Sequence, residues 1–303
     1  MKLKTHQTSK QETLVQETPK QKIPNRKLRF GICIILIFLI IWIVYENKAL
    51  EITTYSISNK KIPKEFDGYR IAQISDLHNA EFGDNNEKLI NLLKQTSPDI
   101  IVITGDLVDS RNTNIEIALA FVQQAVSIAP TYYVTGNHEA RVKEYETLKN
   151  GLEVVGVTLL NKEEIQLEKS GAYITLLGID DPSFQTDYLF GDAKMIAEIN
   201  LAELSKEKDS YTILLSHRPE LFEVYVEQKI DLVFSGHAHG GQFRLPFLGG
   251  VVAPNQGIFP KYDAGLYTKG DTTMIVSRGI GNSIIPIRFN NPPEIVVVEL
   301  QCK

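Results

Sequence analysis

Five short apolar runs in this 303-residue chain end on the same kind of residue, and that recurrence narrows the fold more than anything else in the sequence. Residues 69–75 stop at Asp76, and 99–104 at Gly105-Asp106. Residues 131–135 stop at Gly136-Asn137-His138, 212–215 at Ser216-His217, and 232–234 at Ser235-Gly236-His237-Ala238-His239. Short runs rich in Ile, Val and Leu read as buried strands. Between them the spacing turns helical. Leu89, Leu92 and Leu93 mark one face of residues 85–95, which Pro98 stops, and further helices are expected over 115–126, 193–204 and 220–228. Additional strands are expected over 174–179, 273–277 and 294–300, with a Gly/Pro-rich stretch from His239 to about Gly270. The alternation predicts an α/β (mixed α+β) domain over residues 50–303, undivided by repeat or linker. Each β-α step returns the chain to one edge, the edge where open α/β sheets hold their ligands.

Upstream, residues 1–29 carry eight Lys/Arg against two Glu, a net +6, so the chain total of −5 leaves −11 on the remainder. An acidic body excludes a general nucleic-acid binder, whose affinity comes from cations facing phosphates. Residues 30–45, FGICIILIFLIIWIVY, contain no charge. As a helix they span roughly 24 Å, slightly less than the about 30 Å of bilayer hydrocarbon. Snorkelling Lys27 and Arg29 at one end, with Trp42 and Tyr45 at the other, absorb the shortfall. A cleaved signal peptide competes with this reading, but Glu46-Asn47-Lys48-Ala49 lacks an A-x-A arrangement and the core is long and bulky. The expectation is a basic cytoplasmic tail (1–29), a transmembrane signal-anchor helix (30–47) and an extracytoplasmic body. That is a single-pass protein of the cell membrane, oriented by the positive-inside rule.

Cys33 lies in the apolar run and Cys302 next to the C-terminus, so neither a structural disulfide nor a cysteine metal cluster is expected. Any metal must be held by His, Asp, Asn or Glu. Five of the six histidines fall at the strand ends: His78, His138, His217, His237 and His239. Taken singly, each motif has a structural explanation, as a cap, a loop carboxylate or a surface imidazole. Asp76-Leu77-His78 places two side chains on one side where an extended strand runs on, and His237 and His239 are spaced likewise. Together, two carboxylates, an amide and four or five imidazoles suffice for two divalent ions. Gathering so many titratable groups at one edge without such ions would cost desolvation with nothing to offset it.

The ordered set D-x-H (Asp76, His78), GD-x-x-D (Gly105 to Asp109), GNHE (Gly136 to Glu139), a lone His217 and GH-x-H (Gly236 to His239) is similar to the signature of the calcineurin-like metallophosphoesterases, relatives of purple acid phosphatases. GH-x-HGGQ over 236–242 and SRG-x-G over 277–281 resemble their membrane-anchored or exported bacterial branch. The resemblance implies a four-layer αββα sandwich of two mixed β-sheets flanked by helices, behind one N-terminal transmembrane helix. It implies two divalent ions (Mn, Fe, Zn or Mg), one held by Asp76, His78 and His239, the other by Asn137, His217 and His237, with Asp106 bridging. A metal-bridging hydroxide would attack phosphorus, and His138 would contact the phosphoryl oxygen or protonate the leaving alkoxide. Glu139 and Asp109 would support the ligands. Arg218 and Arg278 are candidate substrate contacts, although an arginine opening a helix is ordinarily solvated.

The implied activity is hydrolysis of phosphomonoesters or phosphodiesters, with lipid or cell-envelope substrates favoured by the anchor. Partners are then the phosphate-ester substrate and the membrane, with no nucleic acid and no obligate protein partner. The alternative is a catalytically inactive metal-binding scaffold at the membrane, against which the complete ligand set weighs. No H-E-x-x-H and no P-loop motif is present.

Overall fold

The structure, a computed structural model, describes residues 26–185, 192–204, 210–282 and 285–303. In chain order the elements are α1 (Arg26–Glu46), β1 (Glu51–Asn59), β2 (Arg70–Ile74), α2 (Glu87–Gln95), β3 (Ile100–Thr104), α3 (Ile115–Ala125), β4 (Thr131–Val134), α4 (Tyr145–Val155), β5 (Thr158–Leu159), β6 (Glu163–Lys169) and β7 (Ala172–Gly178). There follow α5 (Ala193–Leu204), β8 (Thr212–Leu215), α6 (Phe222–Glu227) and β9 (Leu232–Ser235). Four two-residue strands come next, β10 (Arg244–Leu245), β11 (Gly249–Gly250), β12 (Val252–Ala253) and β13 (Gly257–Ile258). The last three are β14 (Gly265–Lys269), β15 (Thr272–Val276) and β16 (Glu294–Cys302).

The longer strands form two six-stranded sheets, ordered β1-β16-β2-β3-β4-β5 and β14-β15-β9-β8-β7-β6. Both are mixed. In the first, β2 to β5 run parallel and β16 lies antiparallel to β2. In the second, β15, β9, β8 and β7 run parallel, with antiparallel edges at β14 and β6. Along β3 the two-residue side-chain period splits the apolar residues between faces. Ile100 and Val102 join a core with Ile213, Leu215, Phe234 and Ile275 of the other sheet, while Ile101 and Ile103 pack on Leu89, Leu93, Phe121 and Val122 of α2 and α3. A third core lies between the second sheet and α5 and α6, around Leu214, Val233, Ala197 and Phe222. Helices, sheet, sheet, helices: the four-layer αββα arrangement is present. Each fully buried side chain of these sizes contributes roughly 1.5–3 kcal/mol.

The predicted central strands and helices lie within two residues of their expected bounds. The helix expected over 85–95 starts at Glu87 because Asn85 and Asn86 adopt left-handed backbone. The helix expected over 220–228 opens as a single 3-10 turn, with Pro219 in first position, before α6. Of the strands the sequence did not announce, β1, β5, β6 and β14 are the edges of the two sheets, and β10 to β13 form two separate pairs. An edge strand with one solvated face needs no apolar run, and Glu51-Ile-Thr-Thr-Tyr-Ser-Ile-Ser-Asn59 has none. Helix α1 is 21 residues long, roughly 32 Å at about 1.5 Å per residue. Its first turn adds Arg26 to Arg29, three of them cationic, to residues 30–45, which lengthens the helix but not its uncharged stretch.

Candidate metal centre

Just past β2 the chain coils back on itself. Asp76 (φ 53°) and His78 (φ 46°) both occupy the left-handed region, so their side chains meet through a tight backbone turn, not the extended spacing expected of D-x-H. The same conformation recurs at Asp106 (φ 53°), His237 (φ 65°) and His239 (φ 48°). L-residues avoid it by about 1 kcal/mol or more each, and such strain collects at functional sites. Neighbouring loops hold it in place: the Asp76 N–H donates to Gly105 O (3.0 Å), His78 N–H to Asp106 O (3.0 Å), and His237 N–H to both carboxylate oxygens of Asp76 (3.1 Å).

All seven expected ligands are buried. Asp76 Oδ1 lies 3.3 Å from His239 Nε2 and 3.9 Å from His78 Nε2, and the two imidazole nitrogens are 3.2 Å apart. Two nitrogens bound to one ion at about 2.1 Å would be separated by about 3.0–3.4 Å. Asp106, His217 and His237 form a second group, the histidine ring centroids 4.9 Å apart. Asp106 joins the two groups. Its Oδ2 lies 3.5 Å from His78 Nε2 and 3.3 Å from His217 Nε2, while Oδ1 accepts the His138 backbone N–H at 2.8 Å. Asn137 Oδ1 and His217 Nε2 are buried with no hydrogen-bond partner in the protein, free to act as ligand atoms. The His217 Nδ1–H donates to Thr104 O (2.7 Å), so Nε2 is the nitrogen facing Asp106 and, once deprotonated, the one whose lone pair could bind an ion. This donor set of carboxylate, amide and imidazole fits hard to borderline divalent ions.

Residues 69–241 match the calcineurin-like phosphoesterase family, more than half the chain. The chain belongs to that family. Among its relatives is the uncharacterized metallophosphoesterase YkuE of Bacillus subtilis (strain 168), 29% identical over 84% of this chain and 87% of its own length. A second, the transmembrane protein with metallophosphoesterase domain of Danio rerio, is 26% identical over 91% of this chain and 63% of its own. A third, phosphodiesterase YaeI of Escherichia coli (strain K12), is 28% identical over 77% and 82%. The protein is thus a metal-dependent phosphoester hydrolase, of a family that uses two divalent ions.

Electrostatics in this phosphoesterase pull like groups apart. Burial alone would lower the His217 pKa, but the charge of Asp106, 3.3 Å from Nε2, with the charge of Asp76, pushes it up to about 10. Burial drives His78 down to about 3 and holds His237 and His239 well below the usual imidazole range. Burial likewise pushes Asp76 up to about 6. At Asp106 burial is overcome by His217, and the carboxyl stays well below its ordinary value. One proton on His217 offsets buried carboxylates that divalent ions would offset in its place.

Around the ligands, Glu139 is fully buried and its carboxylate accepts backbone N–H groups of Asp106 (2.8 Å) and Gly136 (2.7 Å), tying the GD and GNHE loops together. Asp109 accepts from Arg111 and lies 3.5 Å from His138 Nδ1. The candidate substrate arginines are placed differently from expectation. Arg218 is buried, not solvated, and its five donors are taken by Asp181, Ser183, Glu220 and Asn255. The Arg278 guanidinium turns to Glu51 and Glu294 on β1 and β16. Both are committed to carboxylates.

Sequence reasoning missed Asp181 and Asn255. Asp181 lies just past β7, so the strand-end rule that found the others would have found it. Asn255 sits in the Gly/Pro-rich stretch, where nothing marks it. Its Oδ1 lies 2.9 Å from His237 Nε2, and accepting that N–H leaves Nδ1 as the ligand atom. Burial opposes ionisation of Asp181, but Arg218's charge and hydrogen bonds outweigh it and hold the carboxyl below its ordinary value. A depressed carboxyl contributes stability above its unfolded pKa and loses it as pH falls through the folded one. Asp181→Asn is therefore expected to cost about 3 kcal/mol at pH 7, a gap that closes as pH drops below the folded pKa. Denaturant unfolding of both proteins at pH 7 and in acid measures it.

Proposed function

We propose that this phosphoesterase is anchored by α1 and cleaves phosphomonoesters or phosphodiesters at two divalent ions. Asp76, His78 and His239 would hold one ion, Asn137, His217 and His237 the other, and Asp106 would serve both. The observation that carries this reading is the position of Asp106 Oδ2, between His78 Nε2 and His217 Nε2, with Oδ1 tied off by the His138 N–H. When bound, the ions supply an activated hydroxide nucleophile and positive charge for the phosphoryl oxygens.

His138 would contact the phosphoryl group. Its Nδ1 accepts the Ser110 backbone N–H at 3.0 Å, which fixes the tautomer with hydrogen on Nε2. Burial lowers its pKa, so the ring is neutral at pH 7 and its Nε2–H is a hydrogen-bond donor for a phosphoryl oxygen; protonation of the leaving alkoxide would require the imidazolium form. Asp109, 3.5 Å from Nδ1, and Glu139, which fixes the loop, orient it. The relative YaeI is named a phosphodiesterase, which supports including diesters. The apolar span of α1 and the transmembrane relative support the anchor (30–47) with a catalytic body over 50–303, and the basic tail (1–29) favours a cytoplasmic N-terminus.

The test is an assay of the detergent-solubilised full chain on chromogenic mono- and diesters, after reconstitution with Mn, Fe, Zn or Mg. Turnover is expected with at least one ion, and failure with all of them overturns the reading. His138→Ala is expected to keep both ions by elemental analysis while turnover falls about 10²- to 10⁴-fold. Loss of an ion in that variant would make His138 a ligand instead.

A further inference from the structure

Four of the large apolar side chains that the body leaves most exposed fall within residues 247–259: Phe247, Leu248, Ile258 and Phe259, with Phe247 wholly in solvent. They stand on two short hairpins, β10–β11 and β12–β13. The hairpins are not loose. Arg244 N–H donates to Phe289 O (2.9 Å), and Asp263 accepts from Arg244 Nη1 (2.9 Å).

The segment 285–291 that holds this root also holds the end of the apolar span. Asn47 Oδ1 accepts the Arg288 N–H (3.2 Å), Asn47 Nδ2 donates to Arg288 O (3.3 Å), and Glu46 Oε2 accepts the Asn291 N–H (2.8 Å). Arg288 itself is fully buried and ties Asn282 Oδ1 (3.0 Å) and Arg278 O (2.8 Å) to the same point. Glu46 closes α1 and β1 begins at Glu51.

We infer that the hairpin pair over residues 244–259 is a second membrane contact, an apolar wedge entering the interfacial layer of the bilayer beside the point where α1 ends. This rests on the anchored reading above. Whichever way α1 runs, a body surface fastened at Glu46 and Asn47 lies at headgroup level, and the hairpins share that fastening. The exposed side chains stand in turns and at strand ends, a placement that suits insertion among lipid chains. The wedge also reaches the metal centre. Asn255, in the turn between β12 and β13, accepts from His237 Nε2–H (2.9 Å) and Arg218 Nη1 (2.8 Å), so bilayer contact and ligand orientation share one short loop.

Trp42 is the chain's only tryptophan and lies in α1, which gives a direct test. The full chain is reconstituted in phosphatidylcholine vesicles with and without bromine on the acyl chains. Three proteins are compared: wild type, Trp42→Phe/Phe247→Trp, and Trp42→Phe/Tyr173→Trp, Tyr173 being an exposed residue of the second sheet. For insertion to the headgroup and acyl boundary, wild type and the Phe247→Trp protein are expected to lose about half or more of their emission to bromine, and the Tyr173→Trp protein to keep it. Quenching in wild type but not in the Phe247→Trp protein overturns the wedge and leaves the anchor standing. Quenching in the Phe247→Trp protein but not in wild type upholds the wedge and removes the anchor. Quenching in neither removes both, and equal quenching of the Tyr173→Trp protein overturns the wedge.

Discussion

Asp106→Asn is expected to lower turnover by about 10³-fold and to leave fewer than two ions per chain by elemental analysis. The reason lies in which oxygen is free. Oδ1 must accept the His138 backbone N–H, so the amide of the variant keeps its oxygen there and turns its NH₂ toward His78 and His217. A donor then stands where an acceptor shared by both ion sites is needed, although shape and volume are unchanged. The local backbone keeps its own support, since the Asp106 N–H donates to Glu139 Oε2 and the His78 N–H to Asp106 O. His217 provides an independent readout in the metal-free chain. Without the carboxylate that pushes it up to about 10, its titration moves down, visible by NMR. A variant that is inactive yet retains two ions would show that Asp106 does not join the sites.

Gly236→Ala is expected to disable the centre without touching a ligand. A Cβ at this position would fall within the van der Waals envelopes of Ser75 Oγ and Asp76 Oδ2, and 3.1 Å from Ser75 Cβ. Neither neighbour can yield. Ser75 and Asp76 are fully buried, Ser75 Oγ donates to Asp76 Oδ2 at 2.6 Å, and both carboxylate oxygens receive the His237 N–H. The methyl therefore displaces the Asp76 carboxylate or the loop bearing His237 and His239. The expected cost is about 3 kcal/mol of stability together with loss of bound metal. Gly68→Ala is the comparison. Nothing lies within 4 Å of a Cβ there, and only its φ of 76° opposes the change, so about 1 kcal/mol is expected with full metal content. Equal metal content in the two variants would refute the steric argument.

How far the sequence reveals such a site depends on the kind of order involved. The candidate ligands were legible because each lies at the end of a buried strand, and parallel strands deliver their ends to one edge. Asp181 obeys the same rule and was readable in principle. Asn255 was not, because its role comes from a turn between two-residue strands whose pairing leaves no periodic trace. Edge strands β1, β6 and β14 escaped for a related reason, since a solvated face imposes no apolar pattern. Arg218 ran against expectation because burial of a guanidinium depends on a carboxylate 37 residues away in sequence, at Asp181. Local pattern reports what the core demands, and long-range pairing of polar groups is invisible to it.

The left-handed backbone at Asp76, His78, Asp106, His237 and His239 sets a cost for this centre. At each of these positions glycine would adopt the same φ without strain. Glycine offers no carboxylate or imidazole, so a chain relieved of the strain would also lose its candidate metal ligands, and stability and metal binding pull these five positions in opposite directions.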